Sequence, residues 1–188
     1  ANVVIWSVAN ETPHGKPRLE FLKKLIAKTR EMDDTRLVSA AMEKDNIDAV
    51  TVTVKDELLE YVDLISFNQY LGWYDGSPEK CDRMKWIFDV KKPVFISEFG
   101  GGAVYGRHGD VNERFTEEYQ EELYLKNVQM FDRIEGLAGT TPWILKDFRS
   151  PRRQIVGTQD DFNRKGLISE QGGRKKAFYV MKRWYEGK

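Results

Sequence analysis

Several residue types and patterns are scarce in this 188-residue sequence, and each scarcity excludes a class of protein. The single cysteine, Cys81, excludes an internal disulfide. The two histidines, His14 and His108, are isolated and give no metal-ligand spacing. No apolar run approaches the roughly 20 residues that cross a bilayer. Basic and acidic residues number 30 each, and this zero net charge argues against a general nucleic-acid or polyanion binder.

The residues that are present suffice for a folded core. Apolar residues make up 40% of the chain and aromatic residues 12%, which argues against disorder. One domain is the usual reading of this length. The chain begins at Ala1 and enters a predicted core strand by Val3, with no charged or apolar leader before it. We therefore expect residues 1–188 to be a portion of a longer polypeptide.

Strand and helix patterns alternate along the chain. Short apolar runs predict strands, and apolar residues at helical spacing predict helices. Residues 50–61 are ambiguous, because their first half alternates like a strand and their second half is helix-like. The predicted strands are residues 3–8, 37–41, 62–68, 94–98 and 137–143; the predicted helices are residues 16–32, 79–90, 116–134 and 174–185; a polar loop is predicted over residues 146–166.

This alternation predicts an α/β fold in which crossover helices connect parallel strands. A complete eight-stranded βα-barrel typically needs about 250 residues, more than this chain has. The pattern leaves two possibilities: an open sheet, or the back portion of a barrel whose first strands lie elsewhere.

Two glutamates stand at the ends of predicted strands. Glu11 follows the first strand, and Glu98 closes the run 94–98 before three glycines. Strand-end carboxylates of a βα-barrel face its functional rim, and a pair of carboxyl groups is the catalytic equipment of a glycosidase. The simpler alternatives are that Glu11 caps the following helix and that Glu98 is a surface-loop residue. A buried charge at the end of an apolar strand is costly unless it is used or paired, which favours a catalytic role.

Aromatic and basic residues gather near other strand ends. Tyr70, Trp73 and Tyr74 follow the third strand, and Trp143 ends the fifth. Such rings can stack on the apolar face of a sugar, although an aromatic cluster is as often core. Residues 149–153 and 163–166 place cations and an amide in one loop region, which can clamp a carboxylate or simply form a solvated surface.

Four of these segments together resemble the catalytic barrel of family 2 glycoside hydrolases, most closely its β-glucuronidase branch. They are residues 6–11, 68–74, 96–100 and 163–166. Their order and approximate spacing agree with the family over about residues 3–184. The resemblance implies a partial (β/α)8 TIM barrel, with about five parallel strands corresponding to barrel strands 4 to 8.

The resemblance also implies a role for each matching residue. It makes Glu11 the acid/base and Glu98 the nucleophile. Tyr70 then hydrogen-bonds the nucleophile, and Asn10 contacts the sugar 2-hydroxyl. The remaining matches form the substrate site: the uronate-recognition pair Asn163 and Lys165, the nearby groups Tyr74 and Arg153, and Trp143 at the last strand.

Three departures from the family pattern qualify these roles. The family's β-sandwich domains and first three barrel strands are not in this sequence. Nine residues separate Arg153 from Asn163, more than in the glucuronidases, which weakens the Arg153 assignment and leaves the uronic acid open. Residues 144–148 replace the family's usual continuation, so the distal part of the substrate can differ.

The implied reaction is hydrolysis of terminal β-D-glucuronides with retention, by two carboxyl groups about 5 to 5.5 Å apart. No metal or organic cofactor, nucleic acid or membrane partner is expected, and a bacterial-type enzyme of this kind is expected in the cytoplasm. Residues 1–188 alone should have little activity and should self-associate as a homo-oligomer. The alternatives are a β-galactosidase-like or β-galacturonidase-like hydrolase, or a non-catalytic half-barrel.

Overall fold

The computed structural model describes residues 2–188, which contain ten strands, three α-helices and two 3-10 turns. The strands are β1 (Ile5–Asn10), β2 (Leu37–Ala41), β3 (Asp45–Asn46), β4 (Thr51–Thr53), β5 (Ile65–Asn68), β6 (Lys85–Trp86), β7 (Val94–Glu98), β8 (Leu137–Thr140), β9 (Phe148–Arg149) and β10 (Phe162–Asn163). The helices are α1 (Lys16–Met32), α2 (Glu117–Phe131) and α3 (Lys176–Glu186), and the 3-10 turns are Glu57–Glu60 and Pro78–Asp82.

The chain divides into two compact units. The first unit comprises the residues up to Asn68 together with Met84–Ser97 and Ile134–Thr140. The second unit comprises Gln69–Arg83, Glu98–Arg133 and Thr141–Lys188. The boundary falls inside β7, between Ser97 and Glu98, so the two units are interleaved in sequence.

Parallel strands form the centre of the first unit. β1 pairs in parallel with β2, with Ile5 opposite Leu37, and Met42 bridges in parallel to Phe67 in β5. β5, β7 and β8 are hydrogen-bonded neighbours in that order, and β7 pairs in parallel with β8. These are the five strands that the sequence predicts, and parallel pairing is what crossover connections require.

Helix α1 is the first crossover and has the predicted bounds. Pro17 stands in its first turn, where a missing backbone N–H costs nothing. Leu22 and Ile26, one turn apart, are buried. This amphipathic spacing made α1 predictable from the sequence.

Helix α2 organises the second unit. Thr116 caps its N-terminus by accepting a hydrogen bond from the Tyr119 amide at 3.1 Å, and two glutamates follow in its first turn, where the helix dipole favours negative charge. Leu123 and Tyr124 are fully buried, and α2 packs against α3. The cap and the acidic first turn agree with the sequence prediction.

The predicted helix over residues 79–90 is wrong. A 3-10 turn occupies Pro78–Asp82 in the second unit, whereas β6 in the first unit pairs in parallel with Thr51 and Val52 of β4. The Trp86 ring stacks on Phe67 at 4.8 Å. Pairing and stacking with distant residues therefore override the local helical pattern.

Two further predictions need correction. The predicted strand 137–143 ends at Thr140, because Pro142 lacks the N–H that would continue the pairing. The predicted loop 146–166 contains an antiparallel pair, β9 with β10. The ambiguous residues 50–61 form β4 followed by the 3-10 turn Glu57–Glu60.

No helix in the described part of the chain is both long and apolar enough to span a bilayer. Within residues 2–188, no three His, Cys, Asp or Glu side chains are grouped so that they could bind a metal ion.

Candidate active-site residues

Glu11 lies directly after β1 in the first unit and is exposed. Its backbone has φ +47°, a left-handed conformation that is unfavourable for a residue other than glycine. Its amide donates to the Ala41 carbonyl at 2.9 Å. A strained turn held by a backbone hydrogen bond is typical of a side chain that must point in a defined direction.

The Asn68 side chain connects Glu11 to Asn10. Its Nδ2 donates to Glu11 Oε1 at 3.0 Å and to Asn10 Oδ1 at 2.9 Å. Ser97 Oγ donates to Asn68 Oδ1 at 2.8 Å, which fixes the orientation of the amide. Asn68 is buried, so Glu11 and Asn10 are oriented by a side chain that is itself held in place. The sequence places Asn68 in the recognised segment 68–74 but does not single it out. The signal that could have found it is a polar residue at the end of a buried strand.

Glu98 ends β7 and belongs to the second unit. The Tyr70 hydroxyl donates to Glu98 Oε2 at 2.7 Å, as the resemblance implied. Burial and the adjacent carboxylate raise the pKa of Tyr70 well above its ordinary value. Tyr70 therefore stays protonated and donates to a Glu98 carboxylate throughout the physiological range.

The turn after Glu98 requires glycine at residue 100. Gly100 has φ +130°, and a Cβ at this position would collide with the buried Tyr124 hydroxyl. Only glycine has both this backbone conformation and the missing side chain. The backbone can therefore make a tight turn immediately after Glu98, at the end of β7.

A basic cavity of about 310 Å³ lies in the second unit. Its lining includes three of the predicted uronate-site residues, Arg153, Asn163 and Lys165, together with Tyr74. No residue of its lining is acidic. The cavity therefore suits an anion, and the carboxylate clamp expected from the sequence stays a prediction.

Lys165 is the buried cation of this cavity, with 4% of its surface exposed. Its Nζ donates to the Tyr74 hydroxyl at 2.7 Å and lies 5.6 Å from the centre of the Tyr70 ring. Burial lowers the pKa of Lys165, and the charge of Arg153 adds to this effect. Tyr74 responds in the opposite sense: burial raises its pKa, but Lys165 and Arg153 more than offset this and lower it overall.

A buried ion pair supports the loop that carries Lys165. Lys175 Nζ donates to both carboxylate oxygens of Asp147 at 2.9 Å, and neither side chain is exposed. Lys175 also donates to the Arg164 carbonyl, and Asp147 accepts from the Gly166 amide at 2.7 Å. These two contacts hold the backbone on both sides of Lys165. Burial raises the pKa of Asp147 and lowers that of Lys175.

Asn163 and Trp143 form hydrogen bonds that involve the backbone and so help to shape the loops around the site. Asn163 is buried, and its Oδ1 accepts from the Lys165 amide at 3.1 Å. Trp143 follows β8 instead of ending it; its amide donates to the Phe99 carbonyl at 2.8 Å, and its ring packs edge-on against Phe148. Asn163 thus shapes the Lys165 loop, and Trp143 borders the turn after Glu98.

The structure thus brings together two sets of predicted residues. In the first unit Asn10 and Glu11 share the amide of Asn68. In the second unit Glu98 and Tyr70 are hydrogen-bonded. Tyr74, Arg153, Asn163 and Lys165 line the basic cavity, whereas Trp143 does not. Sequence reasoning missed Arg114, which also lines the cavity and lies far from the recognised motifs.

Comparison with known proteins decides the family. A sequence model described as "Glycosyl hydrolases family 2, TIM barrel domain" matches residues 1–187. The chain belongs to glycoside hydrolase family 2. The resemblance seen in four sequence segments is confirmed, as is the TIM-barrel class with parallel strands. The numbering of these strands as barrel strands 4 to 8 stays a prediction.

Its relatives include β-glucuronidases from distant organisms. The β-glucuronidase of Paenibacillus borealis is 30% identical over 195 residues, which cover 98% of this chain and 31% of that protein. The β-glucuronidase of Rattus norvegicus is 34% identical over 195 residues, covering 97% of this chain and 28% of that protein. The chain therefore spans about a third of the length of these relatives.

A solved structure of the same family has a closely similar fold. The crystal structure of the GH2 β-galacturonidase from Eisenbergiella tayi bound to galacturonate matches with a TM-score of 0.79 and 25% identity. The match covers 98% of this chain and 33% of that chain.

Proposed function

We propose that this family 2 chain carries the catalytic carboxyl groups and the uronate-recognition residues of a retaining exo-β-glucuronidase. The observation that carries the proposal is the connection, within one unit, between Glu98 and the basic cavity. Tyr70 donates to Glu98, its ring lies 5.1 Å from that of Tyr74, and Tyr74 accepts from Lys165. A uronate carboxylate at Lys165 would therefore bind beside the proposed nucleophile.

The proposed chemistry is a double displacement. Glu98 attacks the anomeric carbon while Glu11 gives its proton to the leaving oxygen, so the glycosidic bond breaks and a glycosyl ester forms on Glu98. Water then attacks the same carbon, gives its proton to Glu11 and releases the Glu98 carboxylate. Tyr70 stabilises the Glu98 carboxylate before and after this cycle, and Asn68 orients Glu11.

We propose the same substrate class as in the relatives, a terminal β-D-glucuronide. A galacturonide is the second candidate, because a structural neighbour was solved with galacturonate bound and this uronic acid presents the same carboxylate. Residues 1–188 on their own are expected to turn over slowly or not at all, because transition-state stabilisation needs a complete, preorganised site.

The catalytic assignment is tested in a chimera in which this chain replaces the matching third of the Paenibacillus borealis β-glucuronidase. Hydrolysis of 4-nitrophenyl β-D-glucuronide and of its galacturonide epimer is measured. Glu98→Ala should lower kcat by at least about a thousandfold, and Glu11→Gln by about 10² to 10⁴-fold. Glu79→Gln, on an exposed turn, is the matched control. Unchanged turnover in Glu98→Ala would refute the assignment.

Azide separates the two roles. Azide can replace a missing nucleophile, so Glu98→Ala should yield a glycosyl azide of inverted configuration. It can instead attack the glycosyl-enzyme in Glu11→Ala, which should yield the retained azide. The opposite pairing would exchange the roles of the two residues.

The uronate assignment is tested with neutral glycosides. Lys165→Ala should lower kcat/KM for the glucuronide by about a hundredfold and leave the activity on a β-galactoside or β-mannoside unchanged. An equal loss on neutral glycosides would remove Lys165 from carboxylate recognition.

A further inference from the structure

The basic cavity contains more positive charge than one uronate carboxylate requires. Four cationic side chains line it: Arg114, Arg153, Arg164 and Lys165. Arg164 has its own partner, because it contacts Glu170 at 2.8 Å and lies 3.8 Å from Asp147. Within residues 2–188, neither Arg114, Arg153 nor Lys165 forms an ion pair with a carboxylate. One bound carboxylate would therefore leave two positive charges uncompensated.

Arg114 lines the same cavity as Lys165 and is positioned by Trp73. Its guanidinium lies 4.0 Å from the centre of the Trp73 ring and donates to the Trp73 carbonyl at 3.0 Å. Lys165 Nζ lies 5.8 Å from the same ring. Trp73 is buried, so both cations lie beside a side chain that is itself held in place. A guanidinium fixed in this way loses little conformational entropy when it binds an oxyanion.

Another part of the cavity lining is also held in place. Ile155 and Gln159 line it, and they lie in the long segment between Arg153 and Asn163. Arg107 fixes this segment by donating to the Gly157 carbonyl and to Thr158 Oγ1. Arg164 adds a bond from Nε to the Thr158 carbonyl at 3.2 Å. The cavity is thus a built site whose walls do not depend on a ligand.

We propose that Arg114 forms a second oxyanion subsite, so that the preferred substrate is a uronide carrying a sulfate ester beside its carboxylate. The inference rests on the proposed function and deepens it by naming the substrate class. The ring position nearest to the carboxylate-bearing carbon is C4, which makes a 4-O-sulfate the first candidate. Lys165 and Arg153 take the carboxylate, and Arg114 takes the sulfate.

The test measures binding to the 188-residue chain by ¹H–¹⁵N chemical-shift titration, so it does not depend on turnover. The probes are methyl β-D-glucuronide, its 4-O-sulfate and inorganic sulfate. The sulfated glycoside should bind about tenfold more tightly than the unsulfated one. Arg114→Met should abolish this difference by lowering the affinity for the sulfated glycoside to that for the unsulfated one. Arg114→Lys should keep part of it.

The matched control is Arg152→Met, which removes the same charge from the same unit outside the cavity lining. It should leave the tenfold preference intact. In 1 M NaCl the preference should shrink to about twofold, because exposed charges are screened. Signals of Trp73 and Lys165 should shift on titration and so locate the site.

Four results would overturn the proposal. Equal binding of both glycosides, with Lys165→Ala weakening both, would remove the sulfate subsite and leave the uronate function standing. Binding that is unaffected by Lys165→Ala, or no binding of any probe, would refute both the sulfate subsite and the uronate function. Inorganic sulfate that displaces the unsulfated glycoside would show that Arg114 and Lys165 share one anion position.

Discussion

Lys165 is a buried cation, and anion binding to this one residue should depend on pH because its charge is lost as the pH rises. Burial lowers its pKa below the ordinary 10.5, so its charge is lost earlier than that of an exposed lysine as the pH rises. Glucuronate affinity should therefore fall on the alkaline side, with a midpoint at lower pH than an exposed lysine would give. Lys165→Arg should bind without this fall, because arginine stays charged.

Calorimetric titration with D-glucuronate at successive pH values checks this prediction. Tyr74→Phe is the necessary control, because Tyr74 also has a lowered pKa and its ionisation would repel the ligand. If the arginine variant shows the same pH profile as the native chain, Lys165 is not the titrating group.

The Asp147–Lys175 pair is expected to determine the stability of the loop that holds Lys165. Asp147→Asn should lower the free energy of unfolding by about 3–5 kcal/mol, because it leaves the Lys175 charge buried without a counter-ion. Glu170→Gln, which breaks a partly exposed pair with Arg164, should cost less than about 1 kcal/mol. Urea denaturation measures both, and equal effects would contradict the argument.

The doubly substituted Asp147→Leu, Lys175→Met chain separates charge from packing. Replacing both partners removes the uncompensated charge and should recover most of the lost stability. A double variant as unstable as Asp147→Asn would show that the contacts to the Arg164 and Gly166 backbone are the important ones.

The sequence predicted the positions of the candidate residues in the fold where local pattern and motif coincide. Glu11 and Glu98 stand at strand ends that apolar runs define, and Tyr70 lies two residues after a buried strand. Arg114 and the Asp147–Lys175 pair were missed because their significance comes from contacts across the chain: Arg114 meets Trp73, 41 residues away, and Lys175 meets Asp147, 28 residues away. No local periodicity encodes such contacts.

At the scale of elements, the cap of α2 is the clearest local determinant of structure. Thr116 is fully buried and its hydroxyl accepts from the Tyr119 amide. Thr116→Ala should lower the free energy of unfolding by about 1 kcal/mol. Thr116→Ser keeps the hydroxyl and should recover most of that loss in the same denaturation experiment. An equal loss in both variants would assign the effect to the methyl group and its packing.

Elements differed in how far the sequence determined them. α1 was predicted to the residue because Pro17 and the Leu22–Ile26 spacing are local signals. The mistaken helix over residues 79–90 shows the limit of such signals, because β6 exists only through its pairing with β4 and the stacking of Trp86 on Phe67. Two-residue strands of this kind are products of tertiary contact, not of strand propensity.

At the scale of the whole molecule, strand edges and exposed apolar side chains bear on association. Among the described residues β1 pairs only with β2, and Val4 and Trp6 at this edge are 70% and 40% exposed. An open strand edge with apolar side chains is a template for pairing with another chain. We therefore expect residues 1–188 to self-associate through β1.

Light scattering coupled to size-exclusion chromatography, over a hundredfold range of concentration, tests this expectation. Val4→Lys puts a charge on the β1 edge and should shift the chain towards monomer. Val156→Lys is the control, because Val156 is 91% exposed but lies in a loop of the second unit. A native chain that stays monomeric at the highest concentration would show that it does not self-associate. If both variants dissociate equally, the added charge and not its position on β1 explains the effect.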